Sequence, residues 1–94
     1  MKVSIVGTGY VGLVTGATLA DLGNQVVCLD IAEEKINILN SGKSPISEPG
    51  LDKLIQQGLK TKNLKGSTEI KQNIRNSDIT FICVGTPSDK EGNI

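Results

Sequence analysis

Histidine is absent from the 94 residues, which removes the imidazole of a hydrolase triad and the commonest protein metal ligand. Aromatic residues are almost absent as well. Tyr10 and Phe81 are the whole set, too few to build platforms for stacked bases. Net charge is missing too: ten Lys and Arg offset ten Asp and Glu, so no net field attracts nucleic acid or an anionic membrane. Neither partner is expected. The two cysteines, Cys28 in QVVCLD and Cys83 in FICVG, sit inside apolar runs. They read as reduced packing residues of a cytosolic protein, not as a disulfide framework. No histidine or basic residue stands beside either to activate it as a nucleophile. No apolar run approaches the ~20 residues of a membrane-spanning helix. MKVSIVG lacks the regions of a secretory leader, so the expected compartment is the cytoplasm.

What is present is an alternation of strand and helix patterns. The β-branched run KVSIVG predicts a buried strand over 2–7. From 10 to 22 the period becomes helical, with Leu13, Ala17 and Ala20 on one face and Gly12 and Gly16 four apart on it. Small residues there let a helix lie close to a sheet. The pair Gly23-Asn24 ends that helix, the glycine suiting a left-handed C-terminal position. QVVCLD predicts a second strand over 25–30, apolar until Asp30 and hence buried on both faces, as in a parallel sheet. A second helix follows from about Ala32, with Ala32, Ile36 and Leu39 inward and Glu33, Glu34 and Lys35 outward, until SGKSP breaks it.

Residues 47–60 predict an amphipathic helix capped by Ser47, with Pro49 in its first turn and Leu51, Leu54, Ile55 and Leu59 on its apolar face. KGST suggests a short strand over 65–68, EIKQNIRNS a short helix over 69–77, and DITFICVGTP a strand over 78–87 broken by Gly85 and Pro87. No repeat or low-complexity tract interrupts this order. It specifies an α/β fold of Rossmann type, a doubly wound parallel sheet between helix layers. Ninety-four residues form one small domain or part of a larger one, burying only about 60 to 65% of the surface of the unfolded chain. The sequence stops after SDKEGNI, where a loop is expected, and reads as an incomplete, N-terminal part of such a domain.

In this setting the glycines of VGTGYVG acquire a purpose. Gly7 would end the first strand with a tight turn, Gly9 would let backbone approach a pyrophosphate, and Gly12 would let the helix pack on the strand. Amides at the start of that helix, aided by its dipole, would bind the phosphates. Asp30, at the tip of the second strand, is placed to accept hydrogen bonds from the adenosine ribose and to repel a 2′-phosphate, which favours NAD over NADP. A ligand-free turn or an FAD site is compatible with these features taken alone. Thr86, in VGTP, ends the strand across the switch point and is either a cofactor contact or part of an ordinary turn. Lys35, five residues beyond Asp30, either reaches the adenosine end or is a solvated lysine. The basic stretch Lys53, Lys60, Lys62, Lys65, Lys71 and Arg75 is read as a solvated face before an anion patch.

The segments KVSIVGTGYVGLVTGATLADLGNQVVCLDI, GKSPISEPGLDKLIQQG and SDITFICVGTPS together resemble the N-terminal portion of the UDP-glucose/GDP-mannose dehydrogenases, over essentially all 94 residues. GxGYVG is shared with other nicotinamide dehydrogenases; EPGL and VGTP in this order are specific to the family. The resemblance is nearer to its GDP-mannose branch, since many UDP-glucose enzymes carry an aromatic residue where this chain has Ser47. It implies a cofactor, NAD, and contacts at Gly7, Gly9, Tyr10, Val11, Gly12, Asp30, Lys35 and Thr86. It also implies a reaction, oxidation of a nucleotide sugar (GDP-mannose or UDP-glucose) at C6 to a carboxylate in two NAD-dependent steps through a cysteine thiohemiacetal and thioester. By the same resemblance, residues 1–94 are the truncated N-terminal NAD-binding domain, and the family's catalytic and C-terminal parts are absent, with its catalytic cysteine, lysine, asparagine and aspartate and its dimerisation helix. Neither Cys28 nor Cys83 matches the family's nucleophile. No catalytic residue or metal ligand is therefore assigned, and the full-length protein is expected to be a homo-oligomer. The competing reading is a non-catalytic NAD-binding regulatory module.

Overall fold

The computed structural model describes residues 1–84. Four strands, β1 (Lys2–Val6), β2 (Gln25–Leu29), β3 (Leu64–Ser67) and β4 (Ile79–Ile82), alternate with helices α1 (Tyr10–Asp21), α2 (Glu33–Asn40), α3 (Leu51–Thr61) and α4 (Ile70–Arg75). The sheet is wholly parallel in the order β3-β2-β1-β4, with Ile5 standing between Cys28 on β2 and Phe81 on β4. The chain winds outward from β1 to β3 and then crosses back to place β4 on the other side of β1. The topological switch therefore falls between β1 and β4, where α/β sheets open a crevice at their carboxyl ends. This is the expected Rossmann-type α/β architecture.

Alternation along the strands divides the side chains between two faces. Val3 and Ile5 of β1, Val26 and Cys28 of β2 and Leu64 of β3 point to one face. They pack there with Leu13, Ala17 and Ala20 of α1, Leu39 of α2 and Leu51 and Ile55 of α3. Burying each of the larger members contributes about 1.5–3 kcal/mol relative to exposure. Gly16 lets α1 sit this close: a Cβ there would lie 2.9 Å from the Cys28 sulfur. The predicted apolar faces of α1, α2 and α3 are thus the buried ones. Gly23 takes the left-handed position after α1 (φ 100°), its N–H bonded to Ala20 O and that of Asn24 to Leu19 O.

On the other face Ser4 is fully buried beneath α4. The Ser77 hydroxyl donates to the Asn73 carbonyl at 2.7 Å and accepts from the Ser4 hydroxyl, whose oxygen lies 3.2 Å from the same carbonyl. The Asn73 amide in turn reaches Ser67 Oγ and Glu69 O. No residue of α4 is buried, so polar contacts rather than apolar area hold it to the sheet.

One element begins later than its sequence predicts. The helix expected from Ser47 starts at Leu51, with Gly50 as its N-terminal boundary residue at φ 82° and no side-chain cap. A left-handed residue cannot continue a right-handed helix, so Ser47 and Pro49 lie in a loop. That loop is fastened from the helix side, where the Asp52 carboxylate accepts the Ser44 N–H at 2.8 Å.

Candidate functional site

The carboxyl ends of β1, β2 and β4 converge on residues 7–12. The Gly7 N–H donates to Leu29 O at 2.7 Å, and the Cys83 N–H donates to Val6 O at 2.8 Å, so the turn after β1 is stitched to both neighbouring strands. The three glycines of that turn differ in what requires them. Gly7 has φ 108°, and a Cβ on it would meet Cys83 O at 2.9 Å and Val84 N at 3.0 Å. A Cβ on Gly12 would collide with the Gly7 carbonyl oxygen, so the first turn of α1 rests directly on the loop. Gly9 has an ordinary extended backbone (φ −78°, ψ −170°), and a Cβ built on it would meet no atom of the described residues within 4 Å. Backbone geometry and internal packing account for Gly7 and Gly12, but neither requires a glycine at 9. Its missing side chain leaves open space at the start of α1.

That space borders a helix end whose first amides have no acceptor among the described residues. No side chain caps α1 at Gly9, and no acidic residue occupies its first turn. Tyr10 and Val11, 54% and 60% exposed, begin the helix at the solvent side of the turn. The first amides of a helix have no intrahelical acceptor and carry the positive end of its dipole. Uncapped amides beside an open cradle suit a phosphate or pyrophosphate.

Asp30 lies one residue past β2. Its Oδ2 accepts the Thr8 hydroxyl at 2.6 Å and the Thr8 N–H at 3.1 Å, and its Oδ1 accepts the Ala32 N–H at 2.9 Å. Partial burial pushes its pKa up. The Thr8 hydroxyl, the Ala32 and Thr8 amides and the nearby Lys35 charge outweigh that and hold the carboxyl below its ordinary value. An ionised acceptor therefore stands at the tip of the strand beside the glycine turn.

The structure thus brings Gly7, Gly9, Tyr10, Val11 and Gly12 together in one turn and ties Asp30 to it. Lys35 is exposed near the start of α2, close enough to act electrostatically on Asp30. Thr86 lies outside the described residues. Thr8 is the participant that sequence reasoning passes over; its signal is a hydroxyl between two glycines, 22 residues before an aspartate. Cys28 is a free, buried thiol, pushed up to about 12 by burial and by Cys83, which fits a packing residue. Cys83 is free and half-buried at the end of β4. Of the basic stretch, Lys62 and Lys65 join Lys2 around a cavity of about 330 Å³ at the amino ends of β1 and β2, at the other end of the sheet. Among the described residues no cluster of metal-binding side chains occurs, and no helix is long and apolar enough to cross a membrane.

Residues 1–94 match the family described as "UDP-glucose/GDP-mannose dehydrogenase family, NAD binding domain". The chain is 49% identical over 94 residues to the GDP-mannose 6-dehydrogenase of Pseudomonas aeruginosa, covering all of this chain and 22% of that protein. It is 48% identical over 91 residues to the UDP-glucose 6-dehydrogenase of Bacillus subtilis, covering 97% of this chain and 20% of the relative. Its structure superposes with a TM-score of 0.94 on a solved ternary complex of GDP-mannose dehydrogenase from Pseudomonas aeruginosa. That match has 49% identity and covers 99% of this chain and 21% of the other. The chain spans about a fifth of the length of these relatives.

Proposed function

The chain belongs to the UDP-glucose/GDP-mannose dehydrogenase family, whose NAD-binding domain it matches from end to end, and from that membership we propose that it serves a nucleotide-sugar 6-dehydrogenase. In this reading residues 1–94 are the N-terminal cofactor domain of that enzyme. The Tyr10, Val11 and Gly12 amides receive the pyrophosphate in the space above Gly9. Asp30 accepts a hydroxyl of the adenosine ribose, with Lys35 beside it, and Thr86 completes the contacts. The cofactor supplies a hydride acceptor for a sugar alcohol at C6. What the chain's own residues supply is position: a fixed anchor for the phosphates and a negative charge that disfavours a 2′-phosphate.

The open space at Gly9 is the observation that carries this reading. A glycine that the described residues do not require, beside amides with no partner among them, is accounted for by a ligand that occupies the volume. Gly9→Val tests it. The Cβ it adds meets no atom of the described residues within 4 Å and no forbidden backbone angle. Its cost in stability is accordingly limited to about 1 kcal/mol for a poorer helix boundary residue. NAD affinity measured by titration calorimetry should vanish while the circular dichroism spectrum stays that of the parent. Retained binding would show the glycine to be only part of a turn.

For the substrate, the proposal favours GDP-mannose over UDP-glucose, supported by Ser47 in the loop before α3. Near-equal identity to relatives of both kinds is expected of a cofactor domain, where the sugar makes little difference to the sequence. Initial rates of NAD reduction by the full-length protein with each nucleotide sugar decide between them. A preference for UDP-glucose would reverse the assignment of branch.

A further inference from the structure

Thr8 is only 1% exposed, yet it stands between two glycines at the mouth of the site. Both its donors go to one atom: the hydroxyl at 2.6 Å and the amide at 3.1 Å each end on Asp30 Oδ2. An ionised carboxylate offers about four acceptor positions, two on each oxygen. Thr8 fills those of Oδ2, and the Ala32 N–H fills one on Oδ1 at 2.9 Å. The last acceptor position, on Oδ1, has no partner among the described residues. The side chain that meets the ribose in the reading above is therefore itself clamped to the loop that meets the phosphates.

We propose that Thr8 is a positioning residue for cofactor selection, fixing Asp30 so that the adenosine ribose is read through Oδ1 alone and the carboxylate charge is held where a 2′-phosphate would lie. The inference rests on the assignment of Asp30 to the ribose. Without the hydroxyl the carboxylate loses its shortest hydrogen bond, keeps only the Thr8 and Ala32 amides, and turns more readily about its last torsion. The charge then spreads over several positions, and a 2′-phosphate finds one that it tolerates. Valine reproduces the shape of threonine without the donor, whereas serine keeps the donor without the methyl group. Shape and hydrogen bonding are thereby separable.

The test is the ratio of NADP to NAD dissociation constants in the full-length protein, compared among the parent, Thr8→Val, Thr8→Ser, Asp30→Ala and the double variant Thr8→Val/Asp30→Ala. Loss of one hydrogen bond to a charged group should narrow the ratio roughly ten-fold in Thr8→Val, with Thr8→Ser within about two-fold of the parent. In the Asp30→Ala background the Thr8 substitution should change nothing further, because the clamp then has nothing to hold. An unchanged ratio in Thr8→Val alongside a collapsed one in Asp30→Ala would overturn the role of Thr8 and leave that of Asp30 standing. An unchanged ratio in Asp30→Ala would remove the ribose assignment, and the clamp with it. Equal effects of Thr8→Val in both backgrounds would mean that Thr8 only supports the turn. Should Thr8→Val lose its folded circular dichroism, Thr8→Ala against Thr8→Ser makes the same comparison, and equal ratios in those two would reject the proposal.

Discussion

Asp30 contributes to stability as well as to the site, and the sign of its pH dependence follows from its hydrogen bonds. Its folded pKa lies below its ordinary value, because the Thr8 hydroxyl, the Ala32 and Thr8 amides and Lys35 together outweigh partial burial. The unfolded chain then binds the proton more readily than the folded one. The stabilisation is fully present above the ordinary carboxylate pKa and is lost as pH falls through the folded value. Comparing the parent with Asp30→Asn by urea unfolding, the stability difference should be largest near neutrality and should shrink between about pH 6 and pH 3. A difference constant over that range would mean that Asp30 titrates alike in both states. Lys62 makes a different residue-scale point. It follows α3 at φ 65°, a left-handed conformation that costs a non-glycine residue about 1–2 kcal/mol. Part of that relief is offset by the extra backbone entropy glycine loses on folding, so Lys62→Gly should stabilise the chain by about 0.5–1 kcal/mol, read as a higher urea midpoint with an unchanged slope.

Among the elements, α4 is the one whose attachment is polar. It buries no residue, and the Ser4, Ser77 and Asn73 hydrogen bonds take the place of a hydrophobic seam. Ser4→Ala should therefore cost about 1–2 kcal/mol and act locally. Amide hydrogen exchange should quicken through 70–77 while α1 keeps its protection. Uniform acceleration across the chain would show that α4 unfolds only with the whole. The same contrast explains what the sequence reveals and what it hides. β1, β2 and α1 are legible because continuous β-branched runs and a small-residue face carry strong periodic signals. The start of α3 is not, since Ser47 and Pro49 look like a cap and a first-turn proline, while Gly50 adopts a positive φ that no periodicity announces. At the site, the glycine turn and Asp30 are readable from spacing. The Thr8–Asp30 pair is not, because it exists only once β1 and β2 are adjacent and their tips are level.

At the scale of the whole molecule, cofactor binding and the proposed sugar oxidation separate. A ligand that binds only the folded state at a hundred times its dissociation constant stabilises it by about 2.7 kcal/mol. For a domain of this size each kcal/mol is worth roughly 4–8 °C in melting temperature. NAD should therefore raise the melting temperature of residues 1–94 by roughly 10–20 °C at that saturation, with less protection from NADP at equal concentration because of Asp30. Turnover asks for more. Hydride transfer needs the C6 carbon held at ~3–3.5 Å from its acceptor, and proximity of this kind supplies roughly 7–11 kcal/mol of the barrier. The described residues offer little toward that. Histidine is absent from the chain, the Cys28 thiol is buried and pushed up to about 12, and Cys83 is packed between β4 and the glycine turn. The relatives devote about four-fifths of their length to what lies outside the matched region. Residues 1–94 incubated with NAD and either GDP-mannose or UDP-glucose should accordingly give a flat absorbance trace for the reduced cofactor. A trace that rises above background and falls again in Cys28→Ser or Cys83→Ser would place the nucleophile within these residues. A flat trace that rises when the remaining portion of a full-length relative is supplied would place it in that portion.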